Sequence, residues 1–303
     1  MKKGKNKKSW WRPFLAAPIL FFLAPISIGL YLTHPFPART TKNPKDYGLD
    51  FEEIEFFSRK DQLKLSGWWI AASSKPSNKV VITAHGYTNE RAMEGIEGLQ
   101  LAKVLSEQGY NVLMFDFRNA GQSKGRTTGF GFFEKHDLFS AIDYAIQKKN
   151  QEKIALLGWS MGASTALIAG CEHPNVSVII ADSPFSDLED FLKENLSFWS
   201  KLPKRPFTPI IYHSMRKLHK IDPNEVSPIY SVSNSKGKSF LLIHSIGDEA
   251  IPFTESEKIF RAISPGSPKE FWLTENGEHI NSYLLNKDEY QQRVLQFLDQ
   301  YFQ

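Results

Sequence analysis

The most informative segment of the chain is Ile154-Ala155-Leu156-Leu157-Gly158-Trp159-Ser160-Met161-Gly162, followed by the small-residue stretch Ala163–Gly170. Four consecutive apolar residues read as a short strand buried on both faces. The G-x-S-x-G pentapeptide reads as a sharp turn, and the alanine-rich run after it as a helix. Such a pentapeptide occurs by chance, but the strand–turn–helix context gives it meaning. A serine displayed on so tight a turn holds a strained backbone, and side chains in place of the flanking glycines would collide with strand and helix. Its hydroxyl then stands above the sheet at the head of a helix, whose dipole favours developing negative charge. An ordinary turn with a helix-capping serine is the bland alternative.

Working outward, the same alternation recurs. Strands are expected at Phe51–Ser58 and Leu63–Ala71, an antiparallel pair, and then at Val80–Ala84, Asn111–Phe115, Ile154–Leu157, Val176–Ala181, Phe240–His244 and Glu270–Leu273. Helical patterns fall near 91–108, 134–149, 161–172, 255–262 and 287–302. This predicts one α/β domain, with about eight strands in a mostly parallel central sheet flanked by helices. Residues 185–232 interrupt the pattern without a clear strand. They carry Phe185, Phe191, Phe198, Trp199, Phe207 and Tyr212 with Pro203, Pro206 and Pro209, which suggests a small helical cap.

The chain has 303 residues, with 37 Lys+Arg against 33 Asp+Glu and a formal net charge of +4. Six of those cations (Lys2, Lys3, Lys5, Lys7, Lys8 and Arg12) lie within the first 12 residues, so the remainder is slightly acidic and no basic nucleic-acid surface is expected. Lys201, Lys204 and Arg205 form only a small local cluster. Phe14 to Leu32 is uncharged, and as a helix it would span roughly 28 Å, close to a bilayer core. Residues 1–33 are therefore expected to be a basic N-terminus plus a signal anchor. The N-terminus would be cytoplasmic and the body extracytoplasmic; secretion after signal cleavage is the alternative. Proline-punctuated residues 34–50 are expected to be a tether, leaving 51–303 as the catalytic domain with its cap at about 185–232.

With these motifs the chain resembles serine hydrolases of the α/β-hydrolase superfamily. Within it, the likeness is to prokaryotic membrane-anchored Bem46-like and serine aminopeptidase-like hydrolases, over residues 45–303. The resemblance implies Ser160 as nucleophile and, in the order serine–acid–histidine, His279 in Asn276-Gly277-Glu278-His279 as general base. Asp248, after the expected strand Phe240–His244, matches the family's acid. Ser245 and Ile251 stand where the family usually has glycine and valine, and Asp182, at the end of the preceding strand, is a rival acid. Backbone N–H groups of Tyr87 and Met161 match the oxyanion donors. His85 is expected to shape its loop, Asp116–Ser123 to form a structural turn, His173 and His213 to lie at the surface, and His244 to serve local packing. Cys171 reads as a small buried hydrophobe. No metal, nucleotide or cofactor motif is present. The expected activity is cleavage of a carboxylic ester of a small or apolar acyl substrate. A peptidase or acyltransferase with the same triad, or a non-catalytic binding protein on this scaffold, are the other classes.

Overall fold

The computed structural model describes residues 25–275 and 277–303. Eight strands form one sheet: β1 (Glu52–Phe57), β2 (Lys64–Ile70), β3 (Lys79–Ala84), β4 (Asn111–Phe115), β5 (Lys153–Trp159), β6 (Val176–Asp182), β7 (Ser239–Ser245) and β8 (Lys269–Thr274), in the order β1-β2-β4-β3-β5-β6-β7-β8. Only β1–β2 and β2–β4 pair antiparallel; β4 through β8 run parallel. Strand β1 alternates exposed and buried residues, as expected of an edge, whereas the continuous apolar runs of β5 and β7 are buried throughout.

Helices cover both faces. On one side, α1 (Gly98–Glu107) and α9 (Lys287–Tyr301) bury Leu101, Leu105, Val294 and Phe297 against Val81, Leu157 and Ile243. On the other, α2 (Glu134–Lys149), α3 (Met161–Glu172) and α7 (Thr254–Ala262) pack Ile142, Leu167 and Ile259 against Ile82, Leu156 and Leu242. Successive strand residues point to opposite faces, so each strand feeds both cores. Truncating one such leucine to alanine costs about 2–5 kcal/mol.

The chain crosses from β3 to β4 on one side and returns past β3 to β5, so the winding reverses between β3 and β5. In open α/β sheets the crevice at the carboxyl ends of such strands is where ligands bind.

Two expectations need revision, and a third falls largely outside the described residues. The helix expected over 91–108 begins only at Gly98, because Met93 and Glu97 adopt left-handed backbone around the short 3-10 turn Glu94–Ile96. The stretch 34–50 does not hang free. Ala38 O accepts from Gly121 N–H, Pro35 O from Asn119 Nδ2, and the Thr40 hydroxyl donates to Glu90, before the capped turn Pro44–Tyr47. Of the expected anchor over 14–32, residues 25–32 belong to a helix over 25–33, and 14–24 lie outside the described residues. Among the described residues no helix is long and apolar enough to cross a membrane.

The insertion 185–232 is helical, as its composition suggests. It contains α4 (Leu188–Ser200), α5 (Lys204–Leu218), the turn Pro223–Glu225 and α6 (Pro228–Ser233), and α8 (Ser282–Leu285) follows β8 later in the chain. Helices α4 and α5 bury Leu188, Leu192, Leu196, Ile211 and Met215 in a small core of their own, which Leu32 of the helix 25–33 joins.

Candidate active site

Ser160 caps the N-terminus of α3, with φ 55° and ψ −122°, outside the regions L-residues ordinarily occupy. The flanking glycines are what allow this turn. A Cβ on Gly158 would stand 2.4 Å from Gly162 O, and one on Gly162 would stand 2.1 Å from Ala84 O. Both obstacles are backbone and cannot swing aside.

Three strand ends converge on that serine. Ser160 Oγ lies 2.8 Å from His279 Nε2, and His279 Nδ1 lies 2.6 Å from Asp248 Oδ2. Asp248 follows β7 and His279 follows β8, so one parallel strand pair supplies both. Their loops are stitched together: Ile246 N–H donates to Thr274 O at 3.0 Å, and the Ser245 hydroxyl donates to Gly277 O at 2.6 Å. Ser245, where the family usually has glycine, thus fixes the loop that carries His279.

Asp248 is buried but well supplied with donors. Its Oδ1 accepts from the backbone N–H groups of Ala250 and Ile251, each at 2.9 Å. Burial alone would raise its pKa; hydrogen bonds from His244 and His279, with the Ile251 N–H, override it and hold the carboxyl well below the usual range. It therefore stays an anion facing His279. His244 is more than packing. It is fully buried, with Nδ1 at 2.7 Å from Ser256 Oγ and Nε2 at 2.8 Å from Ile251 O and 3.3 Å from Asp248 Oδ2. Nothing in its sequence setting, the end of an apolar strand, distinguishes it from a core residue.

The rival acid sits elsewhere. Asp182 accepts from the Ser183 hydroxyl at 3.0 Å and from Tyr290 Oη at 3.1 Å, and among the described residues it makes no hydrogen bond to His279. Burial pushes its pKa up to about 6, outweighing the hydrogen bonds from Ser183 and Tyr290 and the pull of the more distant His244 and His279.

Across the crevice lies the loop after β3. A Cβ on Gly86 would be 3.4 Å from Ser160 Cβ, so this loop passes beside the serine. Among the described residues neither the Tyr87 nor the Met161 backbone N–H is taken by an acceptor, and both residues line the pocket above Ser160. His85 anchors the loop. Its Nε2 accepts from Phe117 N–H at 2.9 Å, which assigns the proton to Nδ1, and Nδ1–H donates to Gly86 O at 2.8 Å. Burial lowers its pKa to about 4, so it stays neutral and in that tautomer.

The stretch 116–123 is a hydrogen-bonded turn. Asp116 accepts from Arg91 N–H at 2.7 Å and Gln122 N–H at 2.9 Å, and Arg118 Nη2 pairs with Asp137 at 2.7 Å. His213 is exposed, whereas His173 is almost buried at the C-terminus of α3, its ring turned toward Asp143. Cys171 is half-buried, and burial pushes its thiol up to about 11.

Above Ser160 a narrow pocket of about 50 Å3 opens to solvent. Its walls are Phe185, Leu188, Phe191, Leu192 and Leu196 from the cap's first half and Met215 from α5, with Ile251 and Phe130 below. Leu32 completes it, held by a 2.7 Å hydrogen bond from Tyr87 Oη to its carbonyl. Apart from Ser160 and the Tyr87 hydroxyl, every one of these walls is apolar or aromatic.

A family described as the alpha/beta hydrolase fold matches residues 79–210. The YqkD protein of Bacillus subtilis is 32% identical over 268 residues, covering 86% of this chain and 85% of that protein. Lysophosphatidylserine lipase ABHD12 of Xenopus tropicalis is 25% identical over 251 residues, covering 74% of this chain and 61% of the lipase. Among solved structures, the Pyrococcus furiosus esterase Pf2001 superposes with a TM-score of 0.72 at 26% identity, covering 89% of this chain and 97% of the esterase.

Proposed function

The chain belongs to the alpha/beta hydrolase family, and from that premise we propose that it is a serine hydrolase that cleaves carboxylic esters through an acyl-enzyme. The observation behind this is the unbroken chain of hydrogen bonds Ser160–His279–Asp248 beneath an apolar pocket. Ser160 Oγ attacks the ester carbonyl as His279 Nε2 takes its proton. The Nδ1 proton of His279 remains on the ring and donates to Asp248, which stabilises the imidazolium. The Tyr87 and Met161 N–H groups receive the oxyanion. Collapse of the tetrahedral intermediate expels the alcohol, which takes the proton from Nε2. Water then repeats the sequence on the acyl-enzyme and releases the acid. A wall of Leu, Phe and Met favours an apolar acyl chain over a charged or peptidic one.

The test is turnover of short- and medium-chain p-nitrophenyl esters beside aminoacyl-anilides. Wild type should cleave the esters in preference, and Ser160→Ala should lose about 10⁴-fold or more in kcat. Equal rates in both proteins would overturn the mechanism, and preference for anilides would overturn the ester assignment.

We also infer that the leader anchors the domain to a membrane with the domain outside. The support is the uncharged run that begins at Phe14 and the six cations before it, the end of that run packing on the body as the helix 25–33.

A further inference from the structure

Leucine 32 belongs to the expected anchor and yet forms a wall of the pocket, so where the leader leaves the body bears on how substrate enters. The helix 25–33 packs along α5. A Cβ on Gly29 would stand 2.4 Å from Ser214 Oγ and 3.7 Å from Ile211 Cγ2, and the His34 and His219 rings meet edge-on with centroids 5.1 Å apart. Residue 29 beside 211–214 and residue 34 beside 219 set the two helices parallel. The start of the described helix therefore lies toward the start of α5, where α4 turns into α5.

That turn carries both aromatic and cationic side chains. Phe198 and Trp199, 39% and 37% exposed, form an edge-to-face pair at the end of α4, and on the helix 25–33 Leu30 and Tyr31 are 48% and 63% exposed. Lys201, Lys204 and Arg205 follow at once, with Lys201 over the Phe198 ring. Of the acids on α4, Glu189 and Asp190 at its start pair with Lys193, and Glu194 faces Lys258. Trp199 also lines the pocket, so this tip is the rim of the route to Ser160.

We propose that the tip 198–205, with the exposed side of the helix 25–33, is a docking surface for an anionic lipid bilayer, and that apolar acyl substrates pass from that bilayer over Trp199 and Leu32 into the pocket. The entry route rests on the hydrolase reading above; the docking does not. Two features select a bilayer as occupant. In sequence the uncharged run Phe14–Ala24 leads directly into the helix 25–33, whose start lies toward the start of α5. Aromatic rings beside cations that make no ion pair among the described residues match the interface of an anionic leaflet.

The experiment uses the full chain reconstituted in phosphatidylcholine vesicles with or without phosphatidylglycerol. An environment-sensitive thiol fluorophore is placed by Phe198→Cys or, at the opposite end of the sheet, Lys236→Cys, each in a Cys171→Ala background. The label at 198 should shift to the blue and resist an aqueous quencher in anionic vesicles, while the label at 236 stays aqueous. Identical aqueous behaviour at both sites would overturn the docking, as would a shift at 198 that tracks protein concentration in lipid-free detergent, which would mean a second copy covers the tip. In the second arm, Lys201→Glu with Lys204→Glu and Arg205→Glu should slow hydrolysis of a vesicle-embedded long-chain ester about tenfold or more, with a soluble short-chain ester within about twofold. Parallel loss on both substrates, or no loss on either, would overturn the entry route. Failure of wild type to cleave either ester would overturn the hydrolase reading and the route with it, leaving the fluorophore result to decide the docking.

Discussion

Replacing Asp248 by asparagine should disable the site through the tautomer of His279 rather than through loss of structure. Oδ1 of Asp248 accepts two backbone N–H groups, from Ala250 and Ile251, both at 2.9 Å. An asparagine must keep its oxygen there, because its NH2 would otherwise face two donors at close range. That requirement aims the NH2 at the position of Oδ2, 2.6 Å from His279 Nδ1. The imidazole can answer only by accepting at Nδ1 and carrying its proton on Nε2, facing Ser160, so it can no longer take the serine proton. Loss of kcat/KM should be roughly 10³–10⁴-fold, or about 4–5.5 kcal/mol of transition-state stabilisation. The assay is p-nitrophenyl ester hydrolysis at neutral pH, with a urea midpoint to show that folding is intact. Asp182→Asn is the control and should stay within about threefold of wild type, since Asp182 serves Ser183 and Tyr290. Asp248→Asn retaining more than about a tenth of wild-type activity, or Asp182→Asn losing as much as Asp248→Asn, would refute the reasoning.

Gly162→Ala should destabilise the fold by about 3 kcal/mol, although alanine is ordinarily the better helix former, because its Cβ would press against Ala84 O; the urea midpoint reads this, and an unchanged midpoint contradicts it. Asp182 gives a pH signature. Its folded pKa of about 6 exceeds the usual 3.8, so its contribution to stability is fully present below pH 3.8 and declines as pH rises through 6. Asp182→Asn removes that decline, so the variant should gain on wild type by about 1–3 kcal/mol between pH 4 and 7 in denaturant titrations. His244→Gln should lower kcat about tenfold with little change in KM, since His244 steadies Asp248 without lining the pocket, and a pure KM effect would contradict that role.

How much of this was legible in the sequence follows from how local each determinant is. Gly158 answers to Gly162, four residues on, and although Gly162 answers to Ala84 far back in the chain, the β5 run and small-residue helix around Ser160 carry the pattern openly. His279 follows the last strand on a glycine-containing loop, so chain order finds it. Choosing between Asp182 and Asp248 requires knowing which strand end faces β8, and both follow apolar strands; the sheet order decides it by setting β7 next to β8. His244 was unreadable, because a buried histidine in a strand looks the same whether it touches a carboxylate or only a hydroxyl. The place of Leu32 in the pocket was equally hidden. It depends on packing against Ile211, Ser214 and Met215, far along the chain, and an apolar leader has the same composition whether or not its end joins a core.

The most direct test of nucleophilic chemistry at Ser160 is intact-protein mass spectrometry after exposure to a fluorophosphonate, with the modified peptide mapped. The geometry predicts one adduct per chain, on Ser160, absent in Ser160→Ala and formed at least about 10³-fold more slowly in His279→Ala. An adduct on another residue, or labelling of wild type and His279→Ala at the same rate, would contradict it.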